Sequence, residues 1–460
     1  MSVDVLIIGG GIAGLTAALR LQAAGARVQV LETAARVGGV LHTERLHDYL
    51  VERGPNSISK STAALESLID DCGLRNDVLL PTGDAKARFI YAKRQLHRVP
   101  LDPMALLTSR LFSWRGKLRI LREPWIPRDG NTHESVADFV RRRLGPEMLH
   151  YAISPLVAGI FAGDPEQLEL GSAFPIMAEL EAEYGSLIRA AIKRRSGMSR
   201  QIISFRHGMQ QLTDAVAARL GDAVTTDACV QAIAPLAAAT RRWAVTYARQ
   251  HSTVQTTADH IIFATPAATA AALLEPHAPT IAGLLRAIPY APVAVIHAAY
   301  RTLDCPRPLE GFGCLLARDP ERHILGMIYS SSLFPNRAPI GTCLFTSFIG
   351  GLREPTAVDA SDTALQQWFM QDVAAIYGIT HPPSTFNVVR HRAAIPQYTI
   401  GHHDRVAAIH AGLAALPGLL LTGNYLAGVS VGDTVAHAAA VAERISPATR
   451  ATQTADPAAV

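Results

Sequence analysis

The sequence predicts an α/β fold with mixed α+β character: a Rossmann-type dinucleotide-binding unit, a second unit carried on a sheet, and a helical insertion. Three observations predict it. Residues 3–32 read as strand, glycine turn, helix, second strand and acid. Residues 100–206 are dominated by helical periodicity, and residues 291–351 hold successive apolar, strand-like segments separated by turn signals. The 460 residues exceed what one hydrophobic core fills, so two or three units are expected, with a ligand held between two of them.

The first unit follows from its spacing. An apolar, β-branched run over residues 3–8 ends in Gly9-Gly10-Gly11-Ile12-Ala13-Gly14. Leu15, Ala18, Leu19 and Leu21 continue at helical spacing to Gly25, and residues 26–31 form a second strand ending at Glu32, 18 residues beyond Gly14. In such a βαβ unit Gly9 makes the tight turn, Gly11 lets backbone approach a pyrophosphate, Gly14 lets helix pack closely on sheet, and Glu32 accepts from a ribose 2′-hydroxyl. The helix N-terminus faces the phosphates.

Beyond it, residues 62–74 read as an amphipathic helix stopped near Gly73, and residues 88–91 as a strand, with a change of unit near residue 85. Helices are expected over 135–143 and 178–195, with Asn131 and Glu134 marking an N-terminal cap region. The strand ending at Thr265-Pro266 returns to the first sheet, so the dinucleotide unit is discontinuous. A last strand lies within residues 412–425 and a helix over 428–445. The expected division is 1–85, 207–280 and 405–446 for the dinucleotide unit, 86–99 and 281–404 for the second, 100–206 for the helical insertion, and 447–460 as a flexible tail.

Composition narrows the class. Hydrophobic residues at 49% and aromatics at 6% are the usage of a packed soluble protein. A formal charge of +4 is small for this length, and no nucleic-acid-binding module is recognisable, so nucleic acid is not an expected partner. Cysteines 72, 229, 305, 314 and 343 show no CxxC spacing and read as reduced, mostly packed thiols in a reducing compartment. The opening residues read as strand and turn rather than an export signal, and no run of about 18 apolar residues suggests a spanning helix. Residues 85–122 contain ten Lys/Arg and one acid, Asp102, interleaved with Leu106, Leu107, Leu111, Phe112, Trp114, Leu118 and Ile120. That pattern suits an interfacial segment on anionic lipid and equally a basic, solvated helix face. No paired carboxylates, metal cluster or nucleophile triad stands out.

Two further motifs carry a resemblance. Ala35-Arg36-Val37-Gly38-Gly39 and Glu52-Arg53-Gly54-Pro55-Asn56-Ser57 resemble the extended motif of the flavin amine oxidase superfamily, in which a glycine pair and a later turn lie against FAD. The segment LLTGNYLAGVSVGD (residues 420–433) is similar to the signature of the oxygen-dependent protoporphyrinogen and coproporphyrinogen oxidases. GIFAGDP (159–165), SFRHGMQQL from Ser204, GFGCLL, SSLFPNRAP, TSFIGG and AIPQYTIGH extend the likeness to about residue 446.

The resemblance implies a Rossmann-type FAD-binding domain, a sheet-based substrate domain and a helical insertion that contacts membrane in several relatives. It implies FAD contacts at Gly9, Gly11, Gly14, Glu32, Gly38, Gly39, Gly54, Asn56, Ser57, the backbone of Val230, Val429 and Ser430. His391 stands where many members have Trp, so it falls beside the flavin as a packing residue rather than a base. A porphyrinogen slot is implied at Leu315, Ile328 and Phe348, with Gly163 leaving room beside the ring and Arg88 pairing with a propionate through parallel charge-assisted hydrogen bonds. The implied reaction takes protoporphyrinogen IX to protoporphyrin IX in three flavin cycles, with O2 as acceptor and H2O2 as product, and no protein acid or base assigned. Coproporphyrinogen III oxidation is the main alternative, with a flavin amine oxidase or a non-catalytic protein of this fold more distant. Relatives also imply a homodimer and a cytoplasmic protein, peripheral on the inner face of the cell membrane.

Overall fold

The computed structural model describes residues 2–60, 62–82, 87–100, 102–193, 201–236, 242–307 and 309–445. The tail expected at 447–460 and the change of unit expected near residue 85 lie outside the described residues. Two seven-stranded sheets organise the chain.

The first sheet has the order Val224–Thr225, Val28–Leu31, Ser2–Ile8, Ser252–Phe263, Trp243–Arg249, Cys229–Pro235, with Leu419–Leu421 also paired to Ser252–Phe263. Ser2–Ile8 runs parallel to both neighbours, in register Val5↔Val28 and Val5↔His260. A strand buried on both faces needs an uninterrupted apolar run, which VLII supplies. Val5 and Ile7 face the helices Ile12–Ala23, Gln210–Leu220 and Val431–Ile445, while Leu6 and Ile8 face Ala267–Leu274, Pro279–Arg286 and His402–Ala414. The result is a three-layer α/β unit.

The second sheet has the order Thr385–Pro396, Tyr290–Arg301, Thr342–Gly350, Ile324–Tyr329, Gly313–Leu316, Arg88–Ala92, Gln95–Arg98. Its pairings are antiparallel except that of Gly313–Leu316 with Arg88–Ala92. One face is sealed by the helix Asp362–Tyr377 over Tyr91, Cys314, Met327, Tyr329, Phe345 and Ile349. The alternation of the strands sends the intervening residues to the other face.

Several boundaries differ from the sequence reading. Gln201–Phe205, expected within the helical insertion, is a strand paired with Ile58–Lys60 and Val78–Leu79. Pro279–Arg286 crosses the expected division at residue 280 and packs on the first sheet, because its buried Ile281, Ala282 and Leu285 complete that core. The single helix expected over 178–195 is two, Pro175–Tyr184 and Leu187–Lys193, broken where Gly185 takes φ +68°. The cap expected at Asn131 falls instead on Ser135, whose Oγ accepts from Asp138 N at 2.9 Å at the start of Val136–Arg143.

That helix carries a buried charge into the helical segment. The Arg143 side chain is fully buried, 3.0 Å from Glu123 Oε1 and 3.4 Å from Glu181 Oε1, and it donates to the carbonyls of Ile126 and Gly185. Glu123 in turn accepts from Ser186 Oγ and from the Leu187 and Ile188 amides, capping the next helix. Breaking one member of a buried ion pair strands the other in low dielectric, at about 3–5 kcal/mol. Arg143→Leu is therefore expected to lower the free energy of unfolding by that amount, read as a lower urea midpoint at unchanged slope; an unchanged midpoint would show that the charge is dispensable.

Candidate active site

The glycine turn after Ser2–Ile8 is shaped by close approach. Gly9 has φ +107°, and a Cβ there would meet the Ala264 carbonyl oxygen at 2.7 Å. A Cβ on Gly14 would run into the Gly9 carbonyl. Gly11 differs: a Cβ there would meet nothing within 4 Å, so the protein's own packing does not require a glycine. Gly11 is also the N-cap of Ile12–Ala23, with no side chain capping the first-turn amides. Open space before free amides at a helix start suits a phosphate.

Glu32 closes the other side. Its two carboxylate oxygens accept from the Gly10 amide at 2.6 Å and the Ala34 amide at 2.8 Å. Gly38 bridges to Gly11 and donates to the Gly10 carbonyl at 2.8 Å, while Gly39 lies against Gly11 and is held by Arg36, which donates to its carbonyl at 2.7 Å. Val230 lies beyond the same strand end, one residue after Cys229 and two after Ala228, whose amide donates to the Glu32 carbonyl at 2.9 Å. These residues form one polar, backbone-lined cradle. Its free amides, glycines and ribose-side carboxylate fit the adenine dinucleotide half of FAD.

The later turn joins this cradle to the second sheet. Gly54 packs on the Val40 carbonyl, Asn56 Nδ2 donates to the Gly54 carbonyl at 3.3 Å, and Ser57 is half-buried beside them. The preceding carbonyls are taken by two histidines of the second sheet: His297 Nε2 lies 2.9 Å from the Glu52 carbonyl, and His391 Nε2 2.6 Å from that of Arg53. A carbonyl only accepts, so both imidazoles donate there.

His297 and His391 project from the unsealed face of that sheet. Cross-strand register puts Arg88, Gly313, Ile328, Thr346 and His297 in one row and Ile90, Leu315, Gly326, Phe348 and Val295 in the next. Leu315, Ile328 and Phe348 are half-buried, whereas Cys314, Met327 and Ile349 beside them on the sealed face are buried. Arg88 is exposed at the edge, its guanidinium carbon 5.4 Å from the Phe312 ring centre. Above the face lies the helix Ser154–Phe161, where a Cβ on Gly159 would meet Leu315 at 2.5 Å. A Cβ on Gly163 would meet Gln397 Oε1 at 2.5 Å, so the glycine there leaves room for that side chain.

The C-terminal turn closes the third side. Ser430 Oγ accepts from the Asp433 amide at 3.1 Å and donates to its carboxylate, capping Val431–Ile445, and Val429 packs with Phe161 and Tyr398. Gln397 Nε2 donates to the Phe161 carbonyl at 2.7 Å, while its buried Oε1 has no partner in the protein. An orphaned buried acceptor is costly, and a bound donor would relieve it. Sequence reasoning passed over Gln397, His297 and Glu52, although AIPQY and ERGPN contain two of them; His297, inside an apolar strand, carried no signal.

Glu52 is the buried charge of this junction. It accepts from Thr43 Oγ1 at 2.7 Å and the Met209 amide at 2.9 Å, with Arg337 4.0 Å away, yet burial pushes its carboxyl up to about 7. With the folded value above the unfolded one, folding takes up a proton, so this group's stabilisation is present below about pH 4 and is lost as pH rises through 7, by about 3 kcal/mol. Glu52→Gln is expected to flatten the fall in melting temperature between pH 5 and 8 relative to the parent; parallel curves would show that Glu52 is ionised throughout.

Comparison with known proteins adds the lineage. The family described as flavin containing amine oxidoreductase matches residues 12–446. Protoporphyrinogen oxidase 2, chloroplastic/mitochondrial, of Arabidopsis thaliana is 30% identical over 96% of this chain and 93% of its own. The chloroplastic protoporphyrinogen oxidase of Nicotiana tabacum is 34% identical over 96% of this chain and 85% of its own, and the protoporphyrinogen oxidase of Bos taurus is 31% identical over 97% and 98%. A crystal structure of a candidate protoporphyrinogen oxidase from Exiguobacterium sp. 255-15 superposes with a TM-score of 0.82 at 25% identity, covering 96% of this chain and 98% of that one. Cyclohexylamine oxidase of Brevibacterium oxydans shares the fold, with a TM-score of 0.70 at 20% identity over 96% and 99%. The open glycine cradle, the turn bound to the second sheet and these relationships together establish that the chain belongs to the flavin containing amine oxidoreductase family, alongside its protoporphyrinogen oxidases.

Proposed function

We propose that the protein is an FAD-dependent oxidase converting protoporphyrinogen IX to protoporphyrin IX in tetrapyrrole biosynthesis, with O2 as acceptor and H2O2 as product. The observation that carries this reading is the junction at Glu52 and Arg53. The turn next to the glycine cradle is hydrogen-bonded by the same sheet face that presents Leu315, Ile328 and Phe348. A cofactor lying along that turn would border an apolar, half-open surface.

Bound FAD supplies a hydride acceptor and a route for electrons to O2. The chain's residues bind and orient. Gly9, Gly11 and Gly14 with the helix start hold the pyrophosphate, Glu32 the ribose, and Val230 the adenosine end. Gly38, Gly39, Gly54, Asn56, Ser57, Val429 and Ser430 lie along the remainder, with His391 fixing the turn beside it. Leu315, Ile328 and Phe348 offer apolar contact to a flat macrocycle and exclude water. Gly163 leaves its neighbour Gln397 free to approach, and Arg88 at the rim takes a propionate. The side chains of the apolar trio carry no acid or base, so these three orient the ring and move no proton. The expected division into cofactor, substrate and helical units is retained in this reading, with residues 201–205 and 281–286 moved to the cofactor unit.

The proposal extends to the membrane surface. No helix among the described residues is long and apolar enough to cross a membrane. Met104, Trp114, Leu118, Leu121 and Trp125 are nevertheless exposed, Trp125 at 77% and Trp114 at 71%, with Arg110, Arg115 and Arg122 exposed among them. The basic run is only partly available: Lys93, Lys117 and Arg119 donate to internal carbonyls. Leu111, Phe112 and Ile120 are buried. What remains fits peripheral attachment of a cytoplasmic protein to anionic lipid.

Turnover with protoporphyrinogen IX and coproporphyrinogen III side by side, followed by porphyrin fluorescence and H2O2, tests the reading; preference for the tetracarboxylate would overturn the assigned substrate. Arg88→Ala should raise KM roughly tenfold, the loss of one charge-assisted contact, with FAD content and kcat little changed. Trp114→Glu with Trp125→Glu should abolish sedimentation with phosphatidylglycerol vesicles and spare flavin content; undiminished binding would place the lipid contact elsewhere.

A further inference from the structure

Cys305 and Cys343 are 38 positions apart in the chain, yet their Sγ atoms are 3.2 Å apart. Cys343 is the second residue of Thr342–Gly350 and pairs with Tyr300 of the adjacent strand. Cys305 follows the single turn Thr302–Asp304, itself pinned to the same sheet end by the Thr302 amide, which donates to the Gly341 carbonyl at 2.8 Å. The two thiols therefore sit on neighbouring anchored segments.

Their settings differ usefully. Cys343 is 6% exposed and Cys305 is half-buried, so only the latter faces solvent. Cys314 is occupied elsewhere, against the Tyr377 hydroxyl at 3.1 Å. A disulfide requires sulfurs at about 2.05 Å, so the pair must close by roughly 1.2 Å, within reach of small side-chain rotations.

We propose that Cys305 and Cys343 form an oxidation site, which a peroxide-class oxidant converts to an intramolecular disulfide that ties the Thr302–Asp304 turn to the substrate-side sheet. The Cys305 thiolate attacks one peroxide oxygen, the O–O bond breaks, and Cys305 becomes a sulfenic acid as hydroxide leaves. The Cys343 sulfur then attacks the Cys305 sulfur; the S–O bond breaks and water departs. The net change is two thiols and one hydrogen peroxide to one disulfide and two waters. Burial raises the pKa of both thiols, Cys343 the more, which makes Cys305 the attacking group and Cys343 the resolving one. The closed loop would enclose Gly313–Leu316 and Ile324–Tyr329, two strands of the apolar face.

Peroxide supplied from outside makes the test independent of turnover. The full-length protein is treated with hydrogen peroxide, its remaining thiols are alkylated under denaturing conditions, and the digest is mapped by mass spectrometry. The expected result is a Cys305–Cys343 linked peptide lacking two hydrogens, with the other three of the five cysteines free to alkylate or oxidise singly. The link should persist in Cys229→Ser, which removes the exposed competitor, and should be absent in Cys305→Ser, with Cys343 alkylated. Both cysteines alkylated after treatment, Cys305 recovered as a sulfinic acid, or Cys305 joined to a second chain would each overturn the proposal.

Discussion

Two imidazole N–H groups hold the architecture together. The carbonyls of Glu52 and Arg53 lie where the strand Tyr49–Glu52, paired with Thr43–Leu46, gives way to the turn before Ile58–Lys60, and a buried carbonyl without a donor is expensive. His297 and His391 supply the donors from one face of the second sheet. Because His297 is fully buried and its pKa is lowered, chiefly by desolvation, it acts as a neutral donor rather than a charge. The two contacts set how the cofactor unit sits on the substrate sheet. His391 is half-buried at this junction, and its hydrogen bond to the Arg53 carbonyl satisfies the polar edge of its ring.

The second sheet is asymmetric because its two faces meet different neighbours. Under the helix Asp362–Tyr377, large side chains interdigitate and a Tyr329–Tyr377 hydroxyl pair at 2.6 Å satisfies the polar atoms. On the other face Gly313 and Gly326 interrupt the rows, the Leu315 side chain lies over Gly326, and Leu315, Ile328 and Phe348 are half-buried. That half-buried face is the one the proposed flat ligand would cover.

Charge is spent differently in the helical segment. Buried Arg143, Glu123 and Glu181, with half-buried Arg142 and Glu134 at their margin, form an ion-pair network that joins the helices to one another. This leaves the outer apolar residues free of structural duty and exposed. Lys117 and Arg119, which look like surface charges in sequence, instead cap carbonyls inside. The basic patch is smaller than a count of lysines and arginines implies.

The sequence by itself determined the local chemistry. The glycine spacing and Glu32 define the βαβ cradle because those constraints act within about thirty residues, and the apolar runs and turn signals between residues 291 and 351 mark strands. What only the tertiary structure decided is which face of those strands is sealed, which residues meet across more than two hundred positions, as His297 meets Glu52, and which charges are spent internally. The strand Gln201–Phe205 and the helix Pro279–Arg286 were misplaced for the same reason: each owes its allegiance to non-local partners. Periodicity records that a residue is buried. Only the packed chain decides against what, since burial is satisfied by any apolar neighbour and hydrogen bonds by any donor the fold brings within reach.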